Sequence, residues 1–498
     1  EALRRAGRPA AALARLPALR EAAVRLDHPP LLGRIELSEA QALSDDGRWV
    51  EAIPLSKQVA WRAHATHDDV LECEASLSTL TSLAAERRFD EFAEWQAHAE
   101  ADVARLPEAT AAPLRLRLLS TLANLAYVRE DFEAARRGYV EAQELCARVQ
   151  PPEGCTNLVS HLADVAAAAG DLHEAEQLFE QALQEQRMRF GEDHPSTALR
   201  IAAVATVQRK LGALTQARAN FDRAIAILAA IDPRQADIAA IKNNRAVVEL
   251  FLGDLPAAER DFQAALDDRR ERSHGTDPLL PALEGNLGMV VYAQGDFSRA
   301  LTLHQRSLAG TIAVYGEQNL DVANALANIG DVLSELQLPD QAQSYFRRAL
   351  EIRTAVVGAD HPDTARTHCN LGGVALALAQ QDDVLAQYQR CHDGYVRVFG
   401  SAHAQLAMPE AGLGEVHLAM GHVDEALVHL RRARALVGDD AQLERARIDW
   451  ALARAVGMTD PGQARALARA ALAELERQGA LARGDAAAAR RWLRTHGG

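Results

Sequence analysis

Apolar and small residues return along this chain in a fixed phase. A Leu, Ile or Val stands beside an Ala or Gly, a gap and a turn glycine follow, and then come Ala, an aromatic and Ala, about every 42 residues. One copy reads Leu162, Ala163, Gly170, Ala175, Phe179, Ala182, and the phase returns at Val204, Ala205, Gly212, Ala217, Phe221, Ala224. The turn position falls at residues 7, 47, 87, 130, 170, 212, 253, 295, 337, 379, 421 and near 459, so about twelve units fill the chain.

Each unit predicts two helices. Pro195 to Leu211 carries apolar residues at helical rather than alternating spacing until Gly212 interrupts it. Gln216 to Ile231 repeats that spacing through Ala217, Phe221, Ala224, Ile225 and Leu228, with no internal Gly or Pro. This is a second, antiparallel helix. Small residues where the two helices meet let the backbones approach, and the aromatic fills the space toward the next pair. A bulky substitution at Ala217 or Ala258 is expected to cost about 1–3 kcal/mol.

A second signature separates the pairs. Gly191, Glu192, Asp193, His194, Pro195, Ser196, Thr197, Ala198 is echoed by Gly358, Ala359, Asp360, His361, Pro362, Asp363, Thr364, Ala365. Glycine ends one helix and proline opens the next. Weaker echoes begin at Gly275, Gly316 and Gly400. His194 and His361 are read as linker hydrogen-bonding residues, since histidines in separate linkers share no ligand set.

Composition changes the picture in only a few ways. A chain of 498 residues ordinarily implies several globular domains, but an end-to-end repeat replaces them with one elongated array. With 48% apolar and only 5% aromatic residues, the class is all-α. A net charge of −15 argues against nucleic acid or an anionic membrane surface as partner, because phosphate binding needs clustered Lys and Arg. The five cysteines, Cys73, Cys146, Cys155, Cys369 and Cys391, are odd in number and scattered without a CxxC pair, so neither a disulfide framework nor a zinc module is expected. No apolar run of about 18 residues and no signal peptide is found. The chain starts at Glu1 with Gly7 already at a turn position, which reads as a fragment whose first helix is truncated. The expected location is cytoplasmic, with the periplasm open if a membrane segment precedes the fragment.

The register of Asn328, Ile329, Gly330, Ala342, Phe346 and Ala349, with Gly358 to Ala365 as an extended linker, resembles the tetratricopeptide family. It resembles in particular the 42-residue variety found in kinesin light chains and many bacterial proteins. Departures are Gln337 and Ala379, which lack the turn glycine, and Val384, which replaces an alanine. The resemblance implies a right-handed superhelical solenoid of about twelve antiparallel helix pairs: irregular over 1–115, regular over 116–435, and degenerate over 436–498 with a capping helix. The alanine- and arginine-rich wording and the closing Arg490, Arg491, Trp492, Leu493 are also similar to repeat regions that follow bacterial serine/threonine kinase domains.

Asn244, Asn286, Asn328 and Asn370 stand 42 residues apart, two before the small contact position and about 200° around the helix from it. First helices line the concave face of such solenoids, so the four are expected to form a ladder there. Carboxamides both donate and accept, which suits a grip on an extended peptide backbone. Bonds between neighbouring helices use the same groups, and both readings stand. The chaperone-binding members of the family use a two-carboxylate clamp with Lys at the preceding position. Here Asn243, Gly285, Ala327 and Cys369 occupy it, which argues against a chaperone tail as ligand. Asp331, Glu335, Glu415, Arg209, Lys210 and Arg366 are further concave-face candidates, with a solvated charged face as the plainer reading. His368, Cys369, Cys391 and His392 are read as core cysteines and surface histidines rather than a metal site.

Catalytic signatures are lacking: no HExxH, GxSxG, phosphate loop or kinase motif is found, and no cofactor is expected. Trp49, Trp61, Trp95, Trp450 and Trp492 are assigned to packing of irregular end units. A final helix from Asp485 to Arg494, capped by Asp485, is expected to seal the last repeat through Ala486, Ala489, Trp492 and Leu493. Three functions follow: a scaffold binding an extended peptide or partner protein on its concave face, the regulatory region of a bacterial serine/threonine kinase, or a self-associating spacer.

Overall fold

The computed structural model describes residues 4, 9–148, 155, 157–232, 236–273, 277, 279–438 and 441–496, and it divides into two units, 1–227 and 228–498. Among the described residues all regular structure is helical. In the first unit α1 (Pro9–Leu13) and α2 (Leu16–Arg25) precede the pairs α3 (Pro29–Asp45) with α4 (Trp49–Ala65), α5 (Asp69–Ala85) with α6 (Phe89–Arg105), and α7 (Glu108–Val128) with α8 (Phe132–Cys146). Then follow α9 (Leu158–Ala169) with α10 (Leu172–Phe190), and α11 (Pro195–Lys210) with α12 (Leu214–Ile231), whose last turn lies past the unit boundary.

The second unit pairs α13 (Ala236–Phe251) with α14 (Leu255–Ser273), α15 (Leu280–Ala293) with α16 (Phe297–Tyr315), and α17 (Leu320–Glu335) with α18 (Pro339–Val357). It continues as α19 (Pro362–Ala377) with α20 (Gln381–Phe399), α21 (Ala407–Ala419) with α22 (Val423–Leu436), α23 (Gln442–Val456) with α24 (Pro461–Arg477), and the closing α25 (Arg483–His496). The chain is thus an all-α, tetratricopeptide-like helical-repeat solenoid of antiparallel pairs. Every turn predicted from residue 47 to 459 lies between the helices of one pair. The turn at residue 7 and the linker at Gly275 lie outside the described residues.

The linker chemistry is local and repeated. His194 Nδ1 accepts the Ser196 amide at 3.1 Å, and His361 Nδ1 accepts that of Asp363 at 3.2 Å. The hydroxyls of Thr197 and Thr364 donate back to the carbonyls of Gly191 and Gly358, each at 2.8 Å. One side chain therefore caps the helix that starts while another ties down the helix that ended. His403 repeats the cap on Gln405 at 3.2 Å.

Between the helices of a pair, ring meets small residue. Phe221, Phe262 and Phe346 are completely or almost completely buried, and His304 takes the ring position between the last two. A Cβ on Gly330 would stand 2.7 Å from the Phe346 ring, so glycine is needed there for the approach itself. Ala217, Ala258 and Ala342 are fully buried, and Val384 is accommodated at 1% exposure where alanine was expected. Each buried phenylalanine contributes roughly 1.5–3 kcal/mol.

The cysteines correct the sequence expectation. Cys146 bonds Cys155, Cys369 bonds Cys391, and Cys73 is free and buried. The odd count hid two pairs behind one inert thiol. Positions 22 apart face each other across α19 and α20, where the Cα atoms are 5.3 Å apart, a closeness that pairwise spacing in the sequence does not show. The tryptophans pack as expected at Trp95, which is buried, and at Trp450, which meets Trp492 at 5.8 Å, whereas Trp61, edge-on to Trp95 at 5.9 Å, is left exposed against the expectation. The closing helix buries Ala486 and Ala489. It begins two residues earlier than expected, however, so Asp485 lies in its first turn rather than at its cap and accepts from Arg447 Nε at 2.9 Å.

Candidate functional site

In the second unit, first helices of successive pairs touch one another from α13 through α23, whereas contacts between successive second helices are sparser. The first helices of this unit therefore pack side by side more closely than its second helices do. Ala246 is fully buried, and a Cβ on Gly288, Gly330 or Gly372 would crowd the ring on the partner helix. Two residues before each stand Asn244, Asn286, Asn328 and Asn370, all half-buried, one on each of α13, α15, α17 and α19. The side chains of Asn286 and Asn328 make no hydrogen bond among the described residues. Asn370 Nδ2 donates to Asp331 Oδ1 at 3.3 Å, and Asn244 accepts a long 3.4 Å contact from Asn243.

Asp331 sits one turn after Asn328 on α17. Burial pushes its carboxyl up to about 7, against the attraction of Arg366 and Arg353 and with help from Glu335. The group thus changes between acceptor and acid near neutrality. Arg366 is half exposed and leans on Asp363 at 3.1 Å. Burial also raises Glu335, which Arg447 opposes, and the Tyr292 hydroxyl hydrogen-bonds Glu335. The structure so gathers Asn328, Asp331, Arg366 and Asn370 on α17 and α19, with Asn286 and Tyr292 on the adjoining α15.

Other candidates fall elsewhere. Glu415 is ion-paired with Arg454, and Arg209 and Lys210 belong to α11 of the first unit. His368 hydrogen-bonds Gln387 at 2.7 Å, Cys369 and Cys391 are bonded together, and His392 faces Glu410 at 3.3 Å. Among the described residues no group of three or more His, Cys, Asp and Glu could hold a metal ion, and no helix is long and apolar enough to cross a membrane.

Sequence reasoning missed the support behind Asp331. Arg353, 1% exposed, donates to Asn324 Oδ1 at 2.8 Å and to the Asp363 carbonyl at 3.3 Å, tying α17, α18 and α19 together behind Asp331. Burial lowers its guanidinium below the usual arginine range. Arg447 was also missed: it comes from a degenerate repeat that has no Asn in register to mark it. Tyr292 carried a faint signal, six residues after Asn286.

What the array can do is bond a backbone. Open carboxamides offer donors and acceptors, Tyr292 a hydroxyl and Arg366 a charged fork, and none of these fixes a side-chain sequence. It holds no nucleophile–base pair.

The tetratricopeptide repeat model matches residues 154–230, 237–313, 279–355 and 321–395. No curated protein matches. Solved structures similar to the chain include a tetratricopeptide repeat protein from Parabacteroides merdae, at 14% identity and TM-score 0.41 over 60% of this chain and 98% of that one. A Rap protein complexed with competence and sporulation factor matches at 16% identity and TM-score 0.45, over 70% and 99%. BtubC (BKLC) from P. vanneervenii matches at 21% identity and TM-score 0.38, over 46% and 90%.

Proposed function

Taking the chain as a tetratricopeptide-repeat helical solenoid, we propose that the first-helix groove of its second unit holds an extended peptide segment of a partner protein. The observation that carries this reading is the pair of open carboxamides, Asn286 and Asn328, half-buried in register on α15 and α17 with no partner among the described residues. A half-buried amide that neither closes on its own fold nor lies free on the surface is suited to bond an incoming backbone. Asp331, Arg366 and Asn370 extend the same strip, and Asn244 stands at its far end.

The test is selection from a displayed random-peptide library, with wild type beside an Asn286→Ala/Asn328→Ala double variant whose helicity is checked by circular dichroism. Peptides enriched on wild type and lost on the folded variant support the groove. Equal enrichment on both removes the ladder from the account. A defined dimer by sedimentation, with no peptide enriched, favours the self-associating spacer, and a kinase domain encoded upstream would favour the regulatory reading.

A further inference from the structure

A second site of different chemistry lies in residues 1–227. The first helices α3, α5 and α7 flank an open cavity of about 860 Å³, within the size range of ordinary ligand pockets, roughly 300–1,000 Å³. α5 touches both α3 and α7 and so forms its floor. Hydroxyls line it: Ser38 from α3, Ser78 and Thr81 from α5, and Thr110 from α7.

The charges in this cavity do not close on one another. Asp45 is taken by Arg4 at 3.0 Å. The side chains of Arg34 on α3 and Arg117 on α7 have no ion pair or hydrogen bond among the described residues, and the one other carboxylate in the lining is Glu74 on the floor. Glu74 attracts Arg117 without reaching salt-bridge distance. Arg117 and Arg34 are both exposed along the cleft, and partial desolvation lowers the Arg117 guanidinium against that attraction. An arginine that faces the cleft with no ion partner is open to a charge-assisted bond from an incoming anion. Two open arginines against one carboxylate leave a single positive charge in excess, in a chain whose net charge is −15. One carboxylate balances that excess, whereas a polyanion would overfill it.

We propose that this cavity binds a peptide segment through one Asp or Glu side chain seated on Arg117, with Arg34 on the opposite wall and the hydroxyls of Ser78 and Thr81 bonding the segment along the floor. The site shares no residue with the Asn ladder.

Fluorescein-labelled Ala/Ser decapeptides carrying one central Glu, Gln or phosphoserine, and a labelled ten-nucleotide dT strand, are titrated with the full chain by fluorescence anisotropy. Wild type is expected to hold the Glu peptide about tenfold more tightly than the Gln peptide, a preference that weakens with salt. Arg117→Gln should abolish the preference while helicity is unchanged, Arg117→Lys should keep part of it, and Asn286→Ala/Asn328→Ala should leave it intact. Loss of the preference in the Asn double variant rather than in Arg117→Gln would put the carboxylate in the second unit. Equal affinity for Glu and Gln peptides in wild type, or tighter binding of the phosphoserine peptide or the dT strand, would overturn the proposal.

Discussion

Around α5 of the first unit buried hydroxyls and a carboxylate bond across the helix contacts, beside apolar packing by Phe92 and Trp95 of α6, whereas between α17 and α18 of the second unit a phenyl ring seats on a glycine. Ser76 donates to Asp102 at 2.8 Å, Thr79 donates to Ser56 at 2.9 Å, and Ser44 meets Ser82 at 3.2 Å, all in or beside the buried face of α5. In the second unit Gly330 receives Phe346 and Gly372 receives Tyr388, with no polar group in the contact. The two solutions build the same helix pair, but they differ in tolerance. A ring in a glycine socket is held by volume, and a hydroxyl network by the matching of donors to acceptors.

The largest effects should therefore fall on the ring side. Phe346→Ala is expected to cost about 3–5 kcal/mol, because the socket cannot collapse onto a glycine. Ser76→Ala should cost about 1–3 kcal/mol by leaving Asp102 short of a buried partner. Hydrogen exchange read by mass spectrometry checks both locally, which matters in a repeat array whose unfolding need not be one cooperative step. Faster exchange in α5 and α6 of Ser76→Ala than in α17 and α18 of Phe346→Ala would reverse the comparison.

Acid should separate the two locks further. His304 occupies the ring position of α16, 2% exposed, and burial lowers its pKa to about 4. The unfolded chain, with an ordinary histidine near 6.5, takes up the proton first. Stability from the neutral ring is thus complete above about pH 6.5 and is lost as pH falls toward 4, by about 3 kcal/mol in all. Asp102 has the opposite sign: burial raises its pKa, so the native form holds the proton longer and this site loses stability as pH rises. His304→Phe restores the ring found at Phe262 and Phe346, and the melting-temperature gain over wild type should be larger at pH 5 than at pH 7.5. A gain independent of pH would mean that His304 is not the titrating group.

The same contrast explains what the sequence made legible. Glycine and aromatic residues recur at a fixed period and serve little else, so the pairs, their turns and the Asn register could be read directly. Ser76, Thr79 and Asp102 could not, because those residue types also populate ordinary surfaces and only the fold brings them together. The cysteine pairs were hidden likewise: Cys369 and Cys391 oppose each other only once α19 and α20 are antiparallel. Arg34, Glu74 and Arg117 occupy the same place in their repeats, ahead of the turns at 47, 87 and 130, but an alternation of basic and acidic residues there reads as an ordinary charged helix surface, so the cavity between α3 and α7 was not legible. Arg353 resembled any helical arginine until burial set it behind Asp331.

The smallest effect concerns the turns, where both units depart from glycine. Arg87 and Glu130 in the first unit and Gln337 and Ala379 in the second hold φ between 56° and 61°, the left-handed region that Gly253 and Gly295 occupy without strain. A Cβ in that region costs about 1–2 kcal/mol. Glycine relieves this but raises the entropy of the unfolded chain by about 0.4–1 kcal/mol, so Ala379→Gly should gain only about 0.5 kcal/mol. Gly253→Ala should lose a similar amount, since a Cβ there meets nothing within 4 Å and the backbone alone is at issue. Urea unfolding of the two variants beside wild type measures both. Equal and opposite shifts would show that turn strain is set by the left-handed backbone alone, and a loss in Ala379→Gly would mean that the turn between α19 and α20 relies on the alanine methyl.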